Sequence, residues 1–225
     1  MSKPLISPVG ESAILLEFGH KIDLDLPFII GQYTAMIKQA FAGTLVNCTP
    51  SYTSLLIEFH PIYCSAEALT HYIQNLNLAD KPPPSSVDIK TLPTYYAPKV
   101  APDLESLARH CSLSVDEVIT LHSSSTYTVC AIGFTPGFAF LAELPKALHM
   151  PRHQTPRTRV RKGSVGIANN QTAVYPSDTP GGWQIIGNCP LTLFDKISPE
   201  QSLLNIGDKV RFEPIDHRTF LSLGG

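Results

Sequence analysis

The chain has 225 residues, of which 43% are hydrophobic and 16% are charged, with a formal net charge of −2. This length and apolar content allow a substantial buried core, and the near-neutral charge argues against nucleic acid or an anionic membrane surface as a partner. No apolar run approaches the roughly 18 residues of a membrane span, and the first residues lack a signal-peptide pattern, so we expect a cytoplasmic protein.

The first part of the chain alternates strand and helix patterns. Residues 13–18, "AILLEF", predict a buried strand, and Asp25 with Pro27 marks the start of a helix with apolar residues at helical spacing. A pair of strands around Pro50 and a helix capped by Ser65 follow.

A final strand is predicted at residues 87–92, "VDIKTL". The resulting order βαββαβ is that of a ferredoxin-like α/β domain. The proline-rich stretch "DKPPPSS" (80–86) indicates a linker, so we place the first domain at residues 1–84 and the second at 85–225.

The second part has a different pattern of secondary-structure elements. It begins with two short helices, the first capped by Asp103 and the second by a capping box of Ser114 and Glu117. Short strands with Gly and Pro turns follow, at "YTVCAI", "SVGIA", "TAVY", "WQIIG", "LTLFD" and "KVRFEPI". This pattern predicts a small β barrel or sandwich, which makes the whole chain α+β.

The cysteines and histidines give no metal motif. The 5 cysteines are scattered without a CxxC pair, and the 8 histidines show no HxH or HExxH spacing. We therefore expect reduced, mostly buried thiols and no metal bound by this chain.

A turn with three phenylalanines, "GFTPGFAFL" (133–141), directly follows the strand "YTVCAI". Its backbone amides could form an anion-binding nest, and its rings could line an apolar pocket. The alternative is a tight barrel corner with core phenylalanines, which the spacing alone favours.

Alternating arginines occupy the next segment of interest. A strand over this segment would place Arg157, Arg159 and Arg161 on one face, where an anion would relieve their repulsion. The alternative is an edge strand whose charged side chains prevent it from pairing with another chain.

The loop "VYPSDTPGGWQIIG" (174–187) contains two adjacent glycines and the single tryptophan. Adjacent glycines carry a large cost in backbone entropy on folding. Asp178 is the only acidic residue of the loop. One interpretation is a general base; the other, which we favour, is a turn in which the carboxylate accepts local backbone hydrogen bonds. His122, in "LHSSSTY", is either an acid/base group or a residue that satisfies helix-terminal carbonyls.

Together these segments resemble one protein family. The motifs "GFTPGFAFLAELP", "MPRHQTPRTRV", "GSVGIA" and "QTAVYPSDTPGGWQIIG" occur in the order found in the B subunits of 5-oxoprolinase, a family also called kinase A inhibitor (KipI) and allophanate hydrolase subunit 1. The family is similar to a subdomain of the carboxyltransferase part of urea carboxylase. The resemblance spans nearly the whole chain, and it implies a cyclophilin-like β barrel after the small α/β domain.

The function implied by the resemblance is that of one component in an ATP-hydrolysing complex. With the homologous C subunit and a separate A subunit of 5-oxoprolinase, such a complex opens 5-oxo-L-proline to L-glutamate while ATP becomes ADP and phosphate. ATP is then a co-substrate of the complex, and neither a metal nor biotin is expected on this chain, which is expected to be inactive alone. The alternatives are a regulatory inhibitor of a sensor histidine kinase and a carboxyltransferase subunit related to allophanate hydrolase.

The resemblance also implies the residues that contact substrate. Arg157, Tyr175 and His122 are the candidates for catalysis, with Arg157 expected to pair with a carboxylate or phosphate and glycine amides to hold a developing oxyanion. Arg152 and Arg159 are weaker additions, and Arg161 is not inherited because "RVRKGS" departs from the family pattern. The full set implied to line the cleft is Gly133, Phe134, Pro136, Gly137, Phe138, Arg157, Gln171, Tyr175, Pro180, Gly181, Gly182 and Trp183.

Overall fold

A computed structural model describes residues 3–20, 23, 25–77, 88–197 and 202–225. The chain divides into two compact units, Met1–Val87 and Asp88–Gly225. The boundary predicted between residues 84 and 85 lies outside the described residues.

The first unit is a four-stranded antiparallel sheet with two helices. Its strands have the order β1-β2-β4-β3. Ile57 and Phe59 on the sheet are buried in one core with Ile30 and Ile37 on the first helix, as their spacing predicts. The elements are β1 (Leu5–Pro8), β2 (Ala13–Glu17), α1 (Leu26–Ala40), β3 (Leu45–Pro50), β4 (Ser54–Phe59) and α2 (Ala66–Asn75).

This sheet differs from the predicted βαββαβ arrangement at one edge. The segment predicted as its last strand forms β5 (Ile89–Thr94), which pairs in parallel with β13 (Lys209–Pro214) in the second unit. The outer side of β2 is instead occupied by β1, which was not predicted and pairs with it from Leu5 to Pro8. Strand pairing between segments more than 100 residues apart leaves no local pattern in the sequence, which is why the prediction was wrong here.

The second unit contains most of the strands. Beyond β5 and β13, its elements are α3 (Leu104–Cys111), α4 (Val115–Ser124), β6 (Tyr127–Ile132), β7 (Ala139–Ala142), a 3₁₀ turn (Lys146–Leu148), β8 (Arg157–Val160), β9 (Ser164–Ala168), β10 (Gln171–Val174), β11 (Thr179–Gly181), β12 (Gln184–Asn188) and α5 (His217–Ser222).

A seven-stranded sheet in the order β12-β9-β10-β7-β6-β13-β5 forms the framework of this unit. Its two outermost strands meet, because Tyr95, just after β5, exchanges backbone hydrogen bonds of 2.8 and 3.0 Å with Asn188 at the end of β12. The sheet is therefore a nearly closed barrel, which fits the cyclophilin-like barrel that the resemblance implies.

The two faces of the sheet pack into separate clusters. Val165 and Ile167 of β9 belong to the larger core, which includes Leu107 of α3 and Val118 of α4. The alternate residue Ala168 belongs to a smaller aromatic cluster on the opposite face. A separate two-stranded ribbon is formed by β8 and β11.

Some local predictions are confirmed and others need correction. Ser114 and Glu117 form the expected capping box, and the side chain of Ser65 caps α2. Asp103 precedes α3, but its side chain makes no capping hydrogen bond. The segment "LTLFD" is not a strand, and only Phe194 within it makes a β bridge, to Ser202. Among the helices that the structure describes, none has the length and apolar character of a membrane span.

Candidate functional site

A pocket of about 270 Å³ opens beside the aromatic cluster of the second unit. It lies where the turn between β6 and β7 approaches the β8–β11 ribbon. The segments that precede β8 and β11 also contribute to its lining. Its walls are mainly rings and glycines, with a single charged residue. The lining residues are Phe134, Phe138, Phe140, Arg152, Pro156, Tyr175, Pro180, Gly181, Gly182 and Trp183.

Phe138 is the centre of the aromatic wall. Its side chain is 1% exposed, and its ring makes edge contacts with Tyr175 at 5.2 Å and Trp183 at 5.6 Å between centroids. Phe140 packs against both Phe138 and Trp183. Because each ring is held by at least one other, the wall is preformed rather than assembled around a ligand.

The glycine pair of the loop 174–187 has two different roles. A Cβ on Gly181 would overlap the hydroxyl of Tyr175 and lie 3.0 Å from ring atoms Cε1 and Cζ. A Cβ on Gly182 would meet nothing nearer than the His153 carbonyl oxygen at 3.5 Å. The carbonyl of Gly182 instead accepts a hydrogen bond of 2.7 Å from the His153 amide. Gly181 is therefore required by close packing on the tyrosine.

The turn at residues 133–138 presents one phenylalanine to solvent. Phe134 has a φ of 71° and a side chain that is 67% exposed, although its ring edge contacts Phe138 at 5.4 Å. A bulky residue in the left-handed region is unusual and costs about 1–3 kcal/mol, which is typical of functional positions. Gly137 has a φ of 81° and packs so closely on Phe194 that a side chain would clash. Gly133 closes the turn through its amide, which donates to the Phe138 carbonyl, and Pro136 is exposed.

Tyr175 contributes its ring, and its hydroxyl stays protonated. Burial raises the pKa of this side chain, against smaller opposing effects of a backbone hydrogen bond with Trp183 and of Arg152 and Arg157. A tyrosine with a raised pKa can donate a hydrogen bond but is a poor general base.

Two of the predicted arginines are bound to carboxylates of the protein itself. Nη2 of Arg157 donates to Oδ1 of Asp103 at 2.6 Å, and its Nη1 donates to the Trp183 carbonyl oxygen at 3.3 Å. Arg159 pairs with Asp178, whose other oxygen accepts from the Lys162 amide at 2.7 Å. The amide of Lys162 and then Arg159 lower the pKa of Asp178. This confirms a turn-stabilising role for Asp178. Arg157 is not part of the pocket lining.

His122 is not part of the pocket lining, and it packs against Tyr127 and Phe212 of the larger core on the opposite face of the barrel sheet. Its ring is fully buried, with Nδ1 2.7 Å from the Tyr96 hydroxyl and Nε2 2.9 Å from Oγ1 of Thr172. Because Thr172 already donates its only proton to the Gly166 carbonyl, Nε2 of His122 must donate to Thr172 and Nδ1 must accept from Tyr96. Burial lowers the histidine pKa to about 3. The expectation of an acid/base role is thus replaced by a neutral histidine within the core.

The structure therefore brings together about half of the residues implied by the resemblance. Gln171 starts β10 on the side of Ala173, which belongs to the aromatic cluster, but Gln171 is not part of the pocket lining. Phe140 lines the pocket, as expected for the three phenylalanines of the turn, although it is not in the set implied by the resemblance; sequence reasoning missed Pro156. It also assigned Asp103 to a helix cap, because no local pattern shows a partner 54 residues away.

The described residues show neither a cluster that could hold a metal ion nor a thiol in the pocket lining. In the described part of the chain, no group of three or more His, Cys, Asp or Glu side chains is placed to hold a metal ion. All five cysteines are free thiols, and none is in the pocket lining. The arrangement can bind a compact ligand with apolar surface and one negative charge, and no carboxylate, histidine or cysteine is among the described residues of the lining.

Known proteins match nearly the whole chain. The model of the family "Carboxyltransferase domain, subdomain C and D" matches residues 4–204. The B subunit of 5-oxoprolinase from Bacillus subtilis is 36% identical over 96% of this chain and 94% of its own length. The B subunit of 5-oxoprolinase from Escherichia coli O157:H7 is 51% identical over 55% of this chain and 56% of its own. Urea amidolyase of Saccharomyces cerevisiae is 21% identical over 95% of this chain but 13% of its own.

Solved structures give the same result. The crystal structure of TTHA0988 superposes with a TM-score of 0.81 and 31% identity, covering 91% of this chain and 40% of that chain. The conserved protein PH0987 of Pyrococcus horikoshii has a TM-score of 0.57 and 35% identity over 96% of this chain and 100% of its own. This chain thus spans less than half of TTHA0988 and nearly all of the Bacillus relative.

Proposed function

Because this chain belongs to the family of carboxyltransferase domain subdomains C and D that includes the 5-oxoprolinase B subunits, we propose that it is the B subunit of an ATP-dependent 5-oxoprolinase. In this role it contributes part of the site at which a complex with the A and C subunits opens 5-oxo-L-proline to L-glutamate. ATP is hydrolysed to ADP and phosphate in the same cycle.

The observation that carries the proposal is the composition of the pocket. Its lining has aromatic rings, glycines and one arginine, but within the described residues it has no carboxylate, histidine or cysteine. Such a surface can bind and orient a substrate, whereas activating water or transferring a phosphoryl group needs further groups. A pocket with only binding groups is what one component of a composite site would supply.

The chemistry of the reaction fits a composite site. A lactam is a stable amide, and phosphorylation of its oxygen would make the ring carbon easier for water to attack and the ring C–N bond easier to break. These steps need a nucleotide site and a base, which we assign to the partner subunits. The role of this chain is to hold the ring and exclude water from one side of it.

The test is reconstitution. Purified chain is mixed with the A and C subunits of 5-oxoprolinase, ATP and 5-oxo-L-proline, and glutamate is measured over time. We expect glutamate formation only when all three proteins are present. Equal rates with and without this chain would reject the proposal.

The urea amidolyase relative and the family description favour one second candidate, a carboxyltransferase subunit related to allophanate hydrolase. Carboxyltransferases of this type act on carboxybiotin, so this candidate predicts that activity requires a biotinylated partner. Addition of avidin to the reconstituted mixture separates the two: glutamate formation from 5-oxo-L-proline should continue unchanged, whereas a carboxyl transfer would stop.

A further inference from the structure

Arg152 is the charged residue in the pocket lining, and its guanidinium is available. Arg157 and Arg159 each form an ion pair with a carboxylate of the protein. Among the described residues, Arg152 has no such carboxylate partner, and its guanidinium lies 5.6 Å from the centroid of the Trp183 ring. Arg152, Arg157 and Arg159 therefore differ in what they can offer a ligand.

We propose that Arg152 binds the carboxylate of a small cyclic amino acid whose ring lies against the aromatic wall of the pocket. This inference rests on the proposed function, since 5-oxo-L-proline has one carboxylate and one compact ring. It moves the predicted anion contact from Arg157, which is held by Asp103 at 2.6 Å, to Arg152.

The contact between Arg152 and Trp183 suits this task. A guanidinium over an indole ring is attracted to the ring face and keeps the N–H groups in its own plane free. Those N–H groups can form two parallel hydrogen bonds with a carboxylate, which is stronger and more directional than a single bond. Trp183 itself is 4% exposed and packs on Phe138 and Phe140, so the arginine lies on a supported surface.

The charge of the pocket favours a carboxylate over a nucleotide phosphate. Among the described residues of the lining, one arginine is the only charged group, and the remaining surface consists mostly of rings, prolines and glycines. A polyphosphate carries several negative charges and is usually bound by several cations, a metal ion or a series of backbone amides. A monoanion with an apolar body matches both the single cation and the rings.

The first experiment measures steady-state kinetics of the reconstituted complex with Arg152→Gln. Because a charge-assisted hydrogen bond contributes about 1.5–3 kcal/mol, KM for 5-oxo-L-proline should rise about tenfold or more, while kcat changes much less. Arg152→Lys should fall between the two, since it keeps the charge but loses the paired hydrogen bonds. The control is Arg161→Gln, an exposed arginine outside the pocket lining, which should leave KM unchanged.

The second experiment uses the isolated full chain, so that it does not depend on turnover. Trp183 is the only tryptophan of the chain, so its fluorescence reports on the pocket directly. Titration with 5-oxo-L-proline should give a saturable change that is about tenfold weaker in affinity for Arg152→Gln. The same lactam without its carboxylate, 2-pyrrolidinone, should bind wild type and variant equally.

The outcomes separate this inference from the proposed function. If glutamate formation requires this chain but KM is unaffected by Arg152→Gln, the inference is wrong and the proposed function stands. If the reconstituted complex forms no glutamate, the fluorescence titration still decides whether Arg152 binds the carboxylate. A response to inorganic phosphate or ATP but not to 5-oxo-L-proline, or no response to any of them, would overturn the inference.

Discussion

Arg157 and Asp103 form an ion pair of 2.6 Å that joins the β8–β11 ribbon to the residue that precedes α3. The side chain of Asp103 is 7% exposed, and its second oxygen accepts a hydrogen bond of 2.6 Å from the backbone amide of Ile185 in β12. Nε2 of His153 lies 3.4 Å from the first oxygen but makes no hydrogen bond. One carboxylate thus fixes two segments that lead to Trp183.

Asp103→Asn should destabilise the protein. The change leaves the half-buried Arg157 without a counter-charge and replaces one acceptor oxygen by a donor, and the loss of one partner of a buried pair costs about 3 kcal/mol. Urea unfolding of the full chain measures the free energy. The matched control is Asp178→Asn at the exposed Arg159 pair, which should have a much smaller effect. Equal effects of the two variants would contradict a buried, structural role for Asp103.

Gly181 and Gly182 are adjacent but differ in packing, so Gly182→Ala is the matched control for Gly181→Ala. Gly181→Ala should lower stability by about 1–3 kcal/mol and distort the pocket, because the added Cβ overlaps the Tyr175 hydroxyl. Gly182→Ala should have little effect, since its Cβ would make ordinary contacts beginning at 3.5 Å. Thermal unfolding and the fluorescence of Trp183 compare the two variants. A greater loss of stability in Gly182→Ala than in Gly181→Ala would show that Gly181 is not packed closely on Tyr175.

A substitution at Phe134 should reduce activity without changing stability. Its side chain is 67% exposed, so Phe134→Ala should change the free energy of unfolding by less than about 0.5 kcal/mol. We expect it to reduce glutamate formation by the reconstituted complex several-fold, because the ring is part of the pocket lining. Unaltered activity would exclude Phe134 from the site.

Trp183→Ala should impair stability as well as activity. The side chain is 4% exposed and packs on Phe138 and Phe140, so its loss should cost about 3–5 kcal/mol of stability in addition to activity. Urea unfolding measures this cost. A Trp183→Ala protein of wild-type stability would show that the aromatic cluster does not support the barrel.

His122 should make stability depend on pH. Its pKa is about 3 in the folded protein against an ordinary value of 6.5, so the unfolded chain binds one more proton in the range between them. The histidine therefore stabilises the fold above its unfolded pKa, and this contribution is lost as the pH falls. Between about pH 6 and 5 the free energy of unfolding should fall by about 1 kcal/mol.

The matched variants for this prediction are His122→Gln and His110→Gln. Gln at position 122 can still donate to Thr172 but does not titrate, so the dependence on pH should become flatter even though overall stability falls. His110 is exposed, and its replacement should leave the slope unchanged. An unchanged slope in His122→Gln would show that this histidine is not the group responsible.

Much of the local structure could be predicted from the sequence. Alternation in residues 54–59 and helical spacing after Pro27 predicted the buried faces of β4 and α1, because a side chain's direction along a regular element depends only on its period. The capping box of Ser114 and Glu117 is also local, since its partners lie within one helical turn. For the same reason the turn at 133–138 and the loop at 174–187 could be identified as unusual.

The sequence by itself determined most of the element types, the caps formed by Ser65 and by Ser114 with Glu117, and the family, and it marked most of the residues that line the pocket. Only the tertiary structure decided that β5 pairs with β13, that Asp103 holds Arg157, that His122 is a neutral core residue and that Arg152 carries the available charge. Periodicity and capping act over a few residues, whereas an ion pair or a pKa depends on groups brought together from distant parts of the chain.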